Sequence, residues 1–161
     1  MKKYSADYIA KGAIIGALYV ILTFVSSLCG LSSGVIQIRI SEALCILPML
    51  IPAAVPGLFV GCLLANLLTG AAFLDIVFGS LATLIGAIGT YSLRNVKCKY
   101  LGCLPPIAAN TLIIPIILKT VYAIEGSYGY FALTVGIGEV ICAGIFGCIL
   151  LKILSGRKKI L

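Results

Sequence analysis

Nearly all the charged side chains of this chain fall in short gaps between long apolar blocks, and that spacing constrains the fold more than any other feature. Hydrophobic residues make up 61% of the chain and charged residues 11%, with a mean hydropathy of +1.20. Crossing the hydrocarbon core takes about 20 mostly apolar residues, so the chain has room for about five or six spans and little else. The expected fold is an all-α integral membrane protein forming one transmembrane domain over residues 1–161. The block from Gly12 to Leu28 follows a basic start but has no small-residue cleavage site, so it is expected to stay as a span rather than serve as a signal peptide.

The apolar blocks place spans at about Ile9–Cys29, Glu42–Ala54, Pro56–Gly70, Phe73–Leu93, Leu101–Ala123 and Tyr130–Leu154. The second is short and contains Pro48 and Pro52. Basic residues cluster as Lys2, Lys3 and Lys11, as Arg94, Lys97 and Lys99, and as Lys152, Arg157, Lys158 and Lys159. Six spans put these three clusters on one side and leave only Arg39 and Lys119 on the other. Five spans would split the basic termini. The positive-inside rule therefore predicts six helices with both termini cytoplasmic, in the cell membrane.

The same clustering accounts for the net charge of +7 without nucleic acid. Seven scattered cysteines, no C-x-x-C pair and no histidine give no metal site, no cofactor site and no usual general base. No G-x-x-x-x-G-K-[ST] motif occurs, so any ATP-driven step must use an ATPase on another chain. The chain is not expected to be an enzyme.

Charge inside a membrane protein points to function. Gln37, Arg39 and Glu42 form a polar island just after the first apolar block, on a segment where Ile36, Ile38 and Ile40 alternate with them. Arg39 and Glu42 either pair with each other or line a site. Asn66 and Asp75 flank the turn between spans three and four, where Asp75 also suits a helix N-terminus. Lys119 and Tyr122 share the outer end of span five, with snorkelling as the simpler role for Lys119. Glu139 lies about nine residues into span six, roughly 13 Å deep, and needs a partner: Lys119, Arg39 or a ligand. These residues suggest a cavity open to the exterior, with the segment 30–41 closing over it. On span one, Gly12, Ala13, Gly16 and Ala17 form a strip of small residues that fits either a partner helix or packing within the chain. Gly57 and Gly61 repeat the spacing and suit internal packing.

Ile36-Gln37-Ile38-Arg39-Ile40-Ser41-Glu42-Ala43-Leu44, Pro56-Gly57-Leu58 with Gly61-Cys62-Leu63-Leu64-Ala65-Asn66, and Leu74-Asp75-Ile76-Val77-Phe78-Gly79-Ser80-Leu81-Ala82-Thr83-Leu84 resemble the QueT group of energy-coupling factor (ECF) transporters. The resemblance implies a six-helix substrate-binding S component. Such a subunit captures a queuosine precursor, queuine or preQ1, near the outer face. A transmembrane T component and two cytoplasmic ATPases then drive uptake. It also implies that Ala13 and Ala17 form an A-x-x-x-A contact strip for the T component. A 7-deazaguanine offers N–H donors to Glu42 or Glu139 and an acceptor to Arg39, Lys119, Asn66 or Gln37. The alternatives are an S component for another vitamin, such as thiamine or riboflavin, and a small stand-alone proton-coupled carrier.

Overall fold

The computed structural model describes residues 5–31 and 37–156. Helices α1 (Ala6–Leu28), α2 (Ala54–Leu68), α3 (Phe73–Ser92), α4 (Leu104–Thr120), α5 (Tyr128–Glu139) and α6 (Gly147–Ser155) follow in order. A 3-10 helix, Ile40–Met49, precedes α2, and a π-helical stretch, Val140–Phe146, joins α5 to α6. The described residues contain no strand. The described residues thus form an all-helical fold, as expected.

Four helical stretches are long and apolar enough to cross a membrane: Ala6–Leu28, Phe73–Asn95, Lys99–Thr120 and Tyr128–Ser155. Two others, Ile40–Met49 and Ala54–Leu68, are shorter. The second expected span, Glu42–Ala54, is where sequence and structure differ most. Its helix begins earlier, stops at Met49 and winds as 3-10. Pro48 has no N–H to donate and Pro52 disfavours a helical residue before it, so both work against a regular α-helix continuing through this segment.

This inner helix is sheathed by the others. Every residue from Ser41 to Met49 is buried, packed with α1, α2, α3, α6 and the π-helical stretch. Its entry is capped from α1. Ser26 Oγ accepts the Ile40 N–H at 3.0 Å, and Thr23 Oγ1 donates to Ser41 Oγ at 2.8 Å. Arg39, just ahead, is extended (φ −107°, ψ 97°).

Large apolar side chains such as Ile9, Ile14, Leu28, Leu68, Leu112 and Leu133 face outward. Thr23, Ser41, Glu42, Asn66, Thr83, Asn110 and Glu139 are buried. That distribution suits a hydrocarbon surround, in which polar groups must find partners inside the bundle.

Small residues draw the helices together. A Cβ on Gly57 would lie 2.5 Å from the Gly12 carbonyl oxygen, and one on Gly61 would lie 2.8 Å from that of Gly16. Backbones can touch this closely only where neither helix carries a side chain. Gly86 and Gly89 similarly admit Pro106 and Pro105 at the start of α4. Alternating helix direction gathers Lys11, Arg94, Lys97, Lys99 and Lys152 toward one end of the bundle and Arg39, Asn66, Asp75 and Tyr122 toward the other.

Candidate functional site

A cavity of about 450 Å³ opens at the end away from the basic cluster. Gln37, Arg39, Asn66, Asp75 and Tyr122 line it, joined by Thr23 and Thr69. The C-terminal parts of α1, α2 and α4, the first turn of α3 and the strand-like approach to the inner helix all converge there. Residues 32–36 of the segment expected to close over the cavity, including Ser33 and Ile36, lie outside the described residues.

Two polar links frame the chamber. Arg39 Nη2 donates to Asn66 Oδ1 at 2.7 Å, tying the approach segment to α2. Tyr122 donates its hydroxyl to Asp75 Oδ2 at 2.8 Å and accepts the Ala72 N–H at 3.2 Å. That second link bridges the end of α4 to the start of α3. Burial, together with the hydrogen bond to Asp75, raises the Tyr122 phenol above its ordinary pKa, so it stays a donor at neutral pH. Asp75 therefore combines its helix-start position with a contact across the cavity. Gly79 leaves room for this arrangement, since a Cβ there would meet Asp75 Oδ1 at 3.1 Å and Asn66 Nδ2 at 3.3 Å.

Below the chamber lies a narrow neck of about 20 Å³, reached past Gln37, Arg39 and Ile114. Glu42, Thr83, Asn110 and Glu139 line it. Asn110 Nδ2 donates to Glu139 Oε1 at 2.8 Å and lies 3.3 Å from Glu42 Oε2. Tyr19 donates its hydroxyl to Glu42 Oε1, and Cys45 Sγ lies 3.1 Å from Glu42 Oε2. Glu42 is thus fully partnered. Glu139 is 8% exposed, and its Oε2 has no hydrogen-bond partner among the described residues.

Two pairings that the sequence left open are not formed. Arg39 and Glu42 form no ion pair, because Arg39 turns to α2 while Glu42 turns inward to Tyr19 and Asn110. Lys119 does not reach Glu139. It is exposed near the end of α4 and lines neither the chamber nor the neck. Helices α4 and α5 run antiparallel, so a residue some eleven positions into α5 meets one about as far back along α4. Asn110 occupies that depth and Lys119 does not. The ion pair within 4 Å among the described residues is Lys11–Asp7, on the exposed first turns of α1.

Asn110, Thr83 and Gly79 line the neck and Tyr19 bonds to Glu42, and the sequence pattern did not single them out for the candidate site. An amide in the middle of an apolar span was the available signal for Asn110. Nothing distinguished Tyr19 from an ordinary span tyrosine.

Toward the other end of the same two helices, α1 and α2 border an apolar groove of about 630 Å³. Gly12 and Gly16 are buried in the α1–α2 seam, whereas Ala13 and Ala17 are exposed along the groove. Gly57 and Gly61 pack internally, as their spacing suggested.

The QueT transporter family model matches residues 9–156, nearly the whole chain. The chain belongs to the QueT transporter family. A curated relative, the queuosine precursor transporter QueT of Lactococcus lactis subsp. cremoris (strain MG1363), is 36% identical over 85 residues. That alignment covers 53% of this chain and 50% of the relative, so it spans about half the relative's length. No solved structure matches the chain. Membership of this family, together with the four helical stretches long and apolar enough to cross a membrane, agrees with the reading of the chain as a membrane protein.

Proposed function

We propose that this QueT-family chain is the substrate-binding S component of an ECF importer, and that it captures a 7-deazaguanine queuosine precursor in the 450 Å³ chamber. The observation that carries this reading is the meeting of Gln37, Arg39, Asn66, Asp75 and Tyr122 around one cavity at the end opposite the basic residues. Its volume falls within the usual range for small-molecule sites, about 300–1,000 Å³. Its lining offers both donors and acceptors, which a guanine-like edge requires. The relative's name supplies the substrate class.

The positive-inside rule puts the basic end in the cytoplasm and the chamber outside, with both termini cytoplasmic and the chain in the cell membrane. The two short helices then act as spans two and three of six. The inner helix lies within protein and needs no lipid-facing length. The exposed strip of Ala13 and Ala17, beside the groove, is assigned to the T component, and two ATPases on other chains supply the energy. Lys119, outside the cavity, keeps the role of a headgroup-level cation.

Calorimetry on the detergent-solubilised chain tests the assignment. A 7-deazaguanine should bind with heat that thiamine and riboflavin do not produce. Binding of either vitamin, with none of the 7-deazaguanine, would replace this reading. A second reading, a stand-alone proton-coupled carrier, draws on the bare Oε2 of Glu139. Uptake that persists without T component and ATPases would favour it.

A further inference from the structure

We infer that the neck beneath the chamber is an ammonium subsite: Glu42 and Glu139 hold a pendant primary amine of the ligand, with Glu139 Oε2 accepting its hydrogen bond. The inference rests on the chamber being the binding site, and it selects among ligands of one ring system.

Three features carry it. The first is charge. Chamber and neck together present three carboxylates, Asp75, Glu42 and Glu139, against a single guanidinium, Arg39. Asp75 is held by Tyr122, and Glu42 by Tyr19, Cys45 and Asn110. Carboxyl groups buried in such excess are relieved either by a proton or by a cation. A neutral ligand edge leaves the excess in place, while an ammonium group removes part of it.

The second is the unfilled hydrogen bond. Asn110 spends its amide on the two glutamates, so Glu139 Oε2 is left buried and unpartnered while Glu139 lines the neck. Leaving a buried acceptor unmet is costly, and an incoming N–H meets it. Neighbouring groups from the other elements do not supply that donor. Thr83 Oγ1 is bonded to the Gly79 carbonyl and faces Cys62, and Arg39 is held by Asn66.

The third is size. About 20 Å³ admits one water-sized group and no ring. The heterocycle must therefore stay in the chamber and send down a short arm ending in one heavy atom. An aminomethyl arm has that form. A bulky substituted amine does not fit without widening the neck.

The test compares 7-aminomethyl-7-deazaguanine with its 7-hydroxymethyl and 7-cyano analogues, on the wild-type chain and on Glu139→Gln. The aminomethyl compound should bind wild type at least tenfold tighter than the hydroxymethyl isostere. That advantage should shrink to threefold or less in Glu139→Gln, while hydroxymethyl affinity changes little. Glu42→Gln provides a second arm should Glu139→Gln fail to fold. Equal wild-type affinity for the three compounds would overturn the ammonium subsite yet leave the chamber assignment standing. So would a preference that survives both substitutions. Tighter binding of the neutral analogues at low pH would show that the glutamates hold a proton in place of an amine, and would likewise overturn it. Binding of none of the three would remove the chamber assignment itself.

Discussion

The groove beside Ala13 and Ala17 and the chamber around Arg39 are built by the same two helices, yet they have opposite chemistry. At the groove, α1 and α2 contribute glycine, alanine, valine, leucine and proline, with Tyr8 at one edge. At the chamber, the later turns of the same helices contribute Thr23, Asn66 and Thr69. The groove is the larger concavity, but its lining offers few groups that could orient a polar heterocycle. The difference teaches that volume alone does not locate a polar binding site: an apolar hollow on a lipid-facing flank suits another helix, and a polar hollow with restrained side chains suits a solute.

The comparison can be broken most severely at the seam that both regions share. In Gly57→Leu the new side chain would meet the Gly12 backbone, which cannot swing aside as a flexible side chain can. Overpacking usually costs about 1–3 kcal/mol, and here the upper end or beyond is expected. Thermal unfolding in detergent should show a large loss of Tm, with ligand binding lost alongside. A near-normal melting temperature would mean that α1 and α2 can separate, and that the seam is not what positions the chamber.

Ala13→Leu with Ala17→Leu probes the groove without touching the chamber. Both alanines are exposed, so the fold should hold. Uptake in cells should fall to background while ligand affinity of the isolated chain stays within about twofold, because the leucines hold a partner helix away. Parallel loss of affinity would show that groove and chamber are not separable.

Asn66→Ala acts in the opposite sense. It removes the acceptor of the Arg39 bond, a charge-assisted contact worth about 1.5–3 kcal/mol. Binding should weaken by about ten- to a hundredfold, with copurification of the proposed T component unchanged. Unchanged affinity would place Arg39 outside the ligand's reach. The smallest effect is expected for Tyr122→Phe, which loses a neutral hydroxyl shared by Asp75 and the Ala72 N–H. About 1 kcal/mol, or roughly fivefold in affinity, is expected in the same titration.

The long helices could be placed from sequence because apolar blocks and charge gaps bound them directly. Phe73–Leu93 was expected, and α3 runs Phe73–Ser92. The inner helix could be placed but not its winding. Pro48 signals irregularity, but nothing in the local sequence selects 3-10 over α winding for a segment that is enclosed by its neighbours and capped by Ser26. The polar residues that face the chamber were visible because charge in an apolar chain stands out. Their pairings were not, since who meets whom is set by depth across antiparallel helices. Lys119 is the cation on the neighbouring span, but Asn110 is the residue that lies level with Glu139.

The winding of Ile40–Met49 has a mechanical consequence. At about 2.0 Å per residue, ten residues in 3-10 form extend about 20 Å, against about 15 Å as an α-helix. A 3-10 turn closes every three residues, so side chains three apart stand in a single file, and Glu42 and Cys45 touch for that reason. Rewinding this stretch as α-helix would turn Cys45 by about 60° relative to Glu42, since each step is about 20° smaller. It would also draw the segment in by about 5 Å. Length and side-chain heading are therefore geared together in this segment: a tug along its axis is also a twist of the carboxylate that stands at the bottom of the chamber.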